Sequence, residues 1–158
     1  NKLIKKPHLT INIETKSSFE NLSSILSVGK NFIDNITIGR SDFSASYFNK
    51  SITPDSNFIN DKIISISNQA KKYSITTTVG GSVSQKTIDK IRKNKEFLKK
   101  IVKLETRKVI LPVRGFLKKD AIINALNFEK NYILLKNEIN QFKLESENNR
   151  LTTLTTRK

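Results

Sequence analysis

Cysteine, methionine and tryptophan are absent from this chain, and histidine occurs once, at His8. Without cysteine there are no disulfides, no thiolate metal sites and no thiol nucleophile. A single imidazole excludes a His-rich metal site, and next to Pro7 it reads as a surface residue. No apolar run approaches the roughly 20 residues of a membrane span, and no signal peptide is visible. A soluble, cytoplasmic protein is the expectation. The chain starts at Asn1 and holds no Met, so it is expected to be a fragment of a longer protein or a truncated gene product.

Acidic residues are scarce, 14 against 29 Lys and Arg, which leaves a net charge of +15 over 158 residues. Such a charge favours polyanions. Lys, Ile and Asn are abundant together, as an A/T-rich genome writes them, and the Lys residues are spread along the chain apart from a cluster at Lys86–Lys108. They read as a solvated face. A basic nucleic-acid-binding module stays open as an alternative function. An apolar share of 36 % and a length of 158 suffice for one domain with a core.

The residues that organise the chain lie between Leu9 and Tyr47. Leu9, Ile11 and Ile13 alternate with Thr10, Asn12 and Glu14, which is the period of a strand. Ser17 or Ser18 caps a helix with the stripe Phe19, Leu22, Ile25 and Leu26, ended by Gly29. A second strand, Ile36–Gly39, is followed by a loop holding Arg40, Ser41 and Asp42. Each strand thus ends in a carboxylate, Glu14 or Asp42. Parallel strands joined by a right-handed crossover bring those ends side by side. Paired oxygen ligands suit a hard divalent cation, Mg²⁺ or Mn²⁺.

Downstream the alternation continues. Residues 49–57 read as a loop, and Ile59, Ile63, Ile66, Ala70 and Tyr73 as one face of a helix. Ile75–Val79 is β-branched throughout and makes a third strand, stopped by Gly80 and Gly81. Gly80-Gly81-Ser82 reads as a turn and cap, with an anion-cradling loop as the other option. Ser84 opens a Lys-rich helix carrying Ile88, Ile91 and Leu98. Ile101–Leu111 reads as a fourth strand closed by Pro112, on which Glu105 and Arg107 share a face and are expected to form ion pairs with neighbouring strands. The last helix carries Leu117, Ala121, Ala125, Phe128, Tyr132, Leu135, Ile139 and Phe142 at steps of four and three. That stripe exceeds what a small domain buries, and is expected to dock on a neighbouring subunit.

Four strand–helix units imply α/β architecture with parallel strands. At the level of motifs, INIET with Glu14-Thr15 and IGRSD-x-S with Asp42 resemble the HpcH/HpaI aldolase and citrate lyase β-subunit family. VGGSVS, ETRKV and ALNFE resemble its later strands and closing helix, so that the likeness spans residues 9–136. The resemblance implies the C-terminal half of a TIM-type (β/α)8 barrel, over residues 1–147, with a flexible tail at 148–158. It implies a metal-dependent carbon–carbon lyase or aldolase, acting on a 2-oxo acid or CoA thioester through a metal-stabilised enolate. Glu14 and Asp42 would be the Mg²⁺ or Mn²⁺ ligands. The backbone N–H groups of Ser41 and Asp42 would meet the substrate carboxylate, and Asn12 would be a polar site residue. Phe43 and Arg40 depart from the family's usual residues. The substrate-binding Arg and the general base of the family come from a first half absent here, so no catalytic residue is assigned and this chain alone is expected to be inactive. A homo-oligomer is expected, and a non-catalytic, oligomerising remnant is the other alternative.

Overall fold

The computed structural model describes residues 7–157, so the basic lead-in at Lys2, Lys5 and Lys6 lies outside the described residues. Five strands form one sheet in the order β1-β2-β3-β4-β5. β1 (Thr10–Ile13), β2 (Asn35–Gly39), β3 (Thr76–Gly80) and β4 (Lys103–Glu105) run parallel. β5 (Ile110–Pro112) adds an antiparallel edge. The architecture is α/β, as the alternation of elements implies.

The register explains why these residues make a sheet. Ile13, Ile38, Val79 and Leu104 stand in one row, and all four are buried. That row faces a helical layer contributing Leu22, Leu26, Ile63, Ile66, Ile88 and Phe97 to a single core. The opposite face is polar in every row: Asn12, Thr37, Thr78 and Lys103 form one, and Thr10, Asn35 and Thr76 another. Asn35 is buried there and accepts hydrogen bonds from the hydroxyls of Thr76 at 2.8 Å and Thr78 at 3.2 Å. Period-two alternation thus sorts apolar side chains to the helices and polar ones to the open face.

Helix α4 (Asn57–Lys71) buries Ile59, Ile63, Ile66 and Ala70 as its spacing predicts, with Ser56 as its N-cap. Other boundaries differ. The first helix is capped by Thr15, not Ser17 or Ser18; Ser18 is the N3 partner in a capping box, and Asn21 divides the run into α1 (Lys16–Glu20) and α2 (Leu22–Gly29). Arg40–Ala45 is not a loop but a short helix, α3, that starts directly at the end of β2. The Lys-rich helix is two: α5 (Gln85–Lys93), capped by Ser84, and α6 (Lys95–Lys100), capped by Asn94. The expected fourth strand also breaks in two. The Thr106 N–H donates to the Val109 carbonyl at 2.9 Å and the Val109 N–H to the Thr106 hydroxyl at 3.1 Å, a tight turn that folds β5 back on β4. Pro112 therefore belongs to the edge strand, where a missing N–H is tolerated.

The last helix does not start at Leu117. Val113–Phe116 forms a single turn, α7, and a left-handed Asp120 (φ 58°) separates it from α8 (Ala121–Thr155). α8 crosses the expected boundary between 147 and 148 without a break. In its final turns the hydroxyls of Thr152, Thr153 and Thr155 donate to carbonyls four residues earlier, at 2.9–3.0 Å. None of the helices is long and apolar enough to cross a membrane among the described residues.

Candidate functional site at the carboxyl ends of the strands

The row beyond the buried one is formed by Glu14, Gly39, Gly80 and Glu105, since Gly39 pairs with Gly80 and the two glutamates directly follow Ile13 and Leu104. Two carboxylates thus flank two glycines at the carboxyl ends of the parallel strands. Gly39 leaves room for a glutamate, and Gly80 is in ordinary contact with one. A Cβ on Gly39 would stand 2.6 Å from Oε2 of Glu14, and one on Gly80 would meet the Glu105 side chain at 3.5 Å. The acidic side chains lie down over bare backbone.

A pocket of about 400 Å³ opens above this row. It is lined by Asn12, Glu14, Ser41 and Asp42, so all four residues singled out from the sequence meet there. Glu14 and Asn12 come from the end of β1, Ser41 and Asp42 from the first turn of α3. Among the described residues, neither the Glu14 nor the Asp42 carboxylate is engaged by a cation or a hydrogen-bond donor. Ser41 Oγ sits 2.7 Å from Ser82 Oγ, across from the β3–α5 turn.

Three further charged residues line the pocket that were not assigned to the site from sequence: Glu105, Arg107 and, from α8, Glu129. The expected ion pairs of Glu105 and Arg107 are not formed among the described residues, whose ion pairs are Lys16–Glu20, Arg40–Asp55 and Arg92–Asp89. β4 ends at Glu105 and the chain turns at Thr106, so Arg107 leaves the strand and no longer shares its face. Burial pushes the Glu105 carboxyl above the ordinary range. Four carboxylates and one guanidinium line this pocket, although the chain carries an excess of 15 positive charges.

Behind the pocket lies Arg40, only 2 % exposed. Its guanidinium donates to the carbonyls of Gly80 (3.1 Å), Gly81 (2.7 Å) and Pro54, to Thr87 Oγ1, and to Asp55 Oδ1 at 2.8 Å. Burial pushes this guanidinium down from its usual range, and the Asp55 charge and hydrogen bond oppose that shift. The clamp fixes the β3–α5 turn against the start of α3. There Gly81 adopts φ +78° and a Cβ would fall 2.6 Å from the Ser41 N and 2.7 Å from the Arg40 N. Gly80-Gly81-Ser82 is therefore a turn packed tightly on backbone, leading into the Ser84 cap. Nothing local in IGRSD announces the Arg40 clamp, because its acceptors come from three separate segments.

No known family matches this chain, and neither a curated protein nor a solved structure is significantly similar to it. The site must be read on its own chemistry. Two free carboxylates beside an amide and hydroxyls are hard oxygen donors. Mg²⁺ is commonly held by one or two carboxylates with water and substrate completing its shell. Among the described residues there is no group of three or more His, Cys, Asp or Glu that would hold an ion alone. Glu14 and Asp42, which line one pocket, could contribute to a site completed by ligand oxygens.

Proposed function

We propose that this chain is the C-terminal half of a (β/α)8-type barrel and belongs to a divalent-metal-dependent carbon–carbon lyase or aldolase. Its substrate class is a 2-oxo acid or a CoA thioester. The observation that carries this reading is the convergence of Glu14 and Asp42, which have no cation or hydrogen-bond donor among the described residues, with Asn12 and Ser41 in one pocket. That pocket stands at the carboxyl ends of parallel strands, where barrel enzymes of this type place their chemistry. Consecutive strand order and a polar sheet face support the half-barrel, since that face would line the interior of a closed barrel.

Glu14 and Asp42 would hold Mg²⁺ or Mn²⁺, which when bound supplies Lewis-acid polarisation of a substrate oxygen. Gly39 gives the Glu14 carboxylate room to lie across the strand end. Asn12 offers an amide to substrate oxygens one row deeper. Ser41 and Asp42, in the first turn of α3, would offer backbone N–H groups to a substrate carboxylate. The Arg40 clamp keeps α3 and the β3–α5 turn in fixed relation, so these donors are preorganised.

The test is Mn²⁺ binding to the full chain, read by water-proton relaxation. Glu14→Gln and Asp42→Asn should each weaken binding at least about tenfold, or about 1.4 kcal/mol. Adding pyruvate, the simplest 2-oxo acid, should alter the relaxation of the bound ion. Unchanged Mn²⁺ binding in both variants refutes the assignment.

A further inference from the structure

The largest feature that the candidate site leaves unused is α8. Ile122 and Ala125 are buried against the body, and the helix packs on α5 and α7. From Lys130 onward every described residue is exposed. At about 1.5 Å per residue, residues 130–155 carry the helix about 39 Å outward. This free length is not a polar, solvated helix. Phe128, Tyr132, Leu135, Ile139 and Phe142 lie on one stripe at steps of four and three, and are 44–71 % exposed.

Alternating steps of four and three are the a/d seam of a coiled coil. With 3.6 residues per turn, this seam points roughly a quarter turn away from the face of Ile122, Ala125 and Glu129 that rests on the body. At the near end Lys108, from the turn between β4 and β5, lies over the Tyr132 ring at 4.3 Å, while Leu135, Ile139 and Phe142 beyond it are 47–71 % exposed. A second stripe of exposed apolar residues, Leu126, Ile133, Leu144, Leu151 and Leu154, is interrupted by Lys130, Asn137, Asn140 and Glu147, whereas the first is unbroken from Phe128 to Phe142. Ser146 and Asn149 continue the first seam in polar form, which weakens the association.

The flanks of the seam select the partner. Glu138 and Glu145 lie on one side, and Lys136, Lys143 and Arg150 on the other; none is ion-paired among the described residues. In two parallel copies in register, one flank faces the other flank of the second helix five residues on. Glu138 then meets Lys143 of the partner subunit, and Glu145 meets Arg150 of the partner subunit, each pair occurring twice. In an antiparallel arrangement like flanks meet: Glu138 would face the partner's Glu138, and Lys136 the partner's Lys136. We propose that α8 is a dimerisation element through which two copies of this chain pair along the Phe128–Phe142 seam as a parallel, in-register coiled coil.

The absence of cysteine makes the test direct. Asn149→Cys puts one thiol per chain at a seam position. Two parallel chains hold these thiols face to face, and mild oxidation should convert most of the protein to a disulfide-linked dimer. An antiparallel pair centred on Leu135 and Ile139 would hold them about 36 Å apart. In sedimentation equilibrium the native chain should move from one to two subunit masses with rising concentration. Leu135→Lys with Ile139→Lys should raise the dissociation constant by ~100-fold or more. Glu138→Lys with Glu145→Lys should raise it ~10-fold. Ile133→Lys, on the other side of the helix, should leave it unchanged. A chain that stays monomeric at about 1 mM, or a dimer indifferent to the Leu135 and Ile139 changes, overturns the proposal. So does a dimer whose introduced thiols do not cross-link, or an assembly of three or more subunits.

Discussion

Replacing Arg40 with methionine keeps the approximate length of the side chain and removes every donor of the clamp. Five hydrogen bonds disappear, two of them to the carbonyls of Gly80 and Gly81 and one to the Asp55 carboxylate. Removing one partner of a buried ion pair costs about 3–5 kcal/mol, because the remaining groups stay desolvated and unpaired. The Asp55 side chain is 20 % exposed, so water relieves part of that cost. Thr87 also continues to donate to Asp55, at 3.0 Å. The lower end, about 3 kcal/mol, is therefore expected. For a chain of this size that lowers Tm by about 6–12 °C, measured by circular dichroism, with a matching drop in the urea midpoint. Adding Asp55→Asn to Arg40→Met should cost less than Asp55→Asn does alone, since the carboxylate has already lost its cation. An Arg40→Met chain within about 1 kcal/mol of the parent would refute the idea that this guanidinium ties the turn to α3.

Gly39→Ala should separate the site from the fold. The backbone there (φ −82°) accommodates alanine, and the atom its Cβ would meet is the movable end of Glu14. Stability should change by less than about 1 kcal/mol, while Mn²⁺ affinity falls several-fold; equal affinity would show that the Glu14 carboxylate needs no room at Gly39. Glu105→Gln probes the half-buried carboxyl. Its folded-state pKa is raised, so its stabilising contribution is complete below the ordinary Glu range and is lost as pH rises through the raised value. Glu105→Gln should therefore flatten the pH dependence of Tm from about pH 4 upward and melt higher than the parent at pH 7; a steeper dependence would contradict it.

Much of the candidate site was legible from residues 9–47, because strand alternation and helical stripes are local properties. Once Leu9, Ile11 and Ile13 share a face, Asn12 and Glu14 must share the other. A parallel neighbour then places Asp42 beside the same end. The same logic predicted the buried face of α4 and the unburied stripe from Tyr132 to Phe142. Errors fell where a single side chain outweighs periodicity: Thr15 taking the cap from Ser17 or Ser18, Asn21 and Asn94 dividing helices, Thr106 folding one expected strand into two. Those are choices between neighbouring hydrogen bonds, which hydrophobic spacing does not register.

The sequence alone thus determined the α/β alternation, the polar and apolar faces of each strand and the acids at the strand ends. Only the tertiary structure decided the rest. Arg40 is a clamp because the carbonyls of Pro54, Gly80 and Gly81 and the carboxylate of Asp55 converge on it from separate segments. Glu105 joins the pocket because β4 lies next to β3 in the register that sets it over Gly80, and Glu129 because α8 packs beside α5. Local pattern fixes which way a side chain points within its own element. What it meets there depends on which elements become neighbours, and that is set by packing across the whole core.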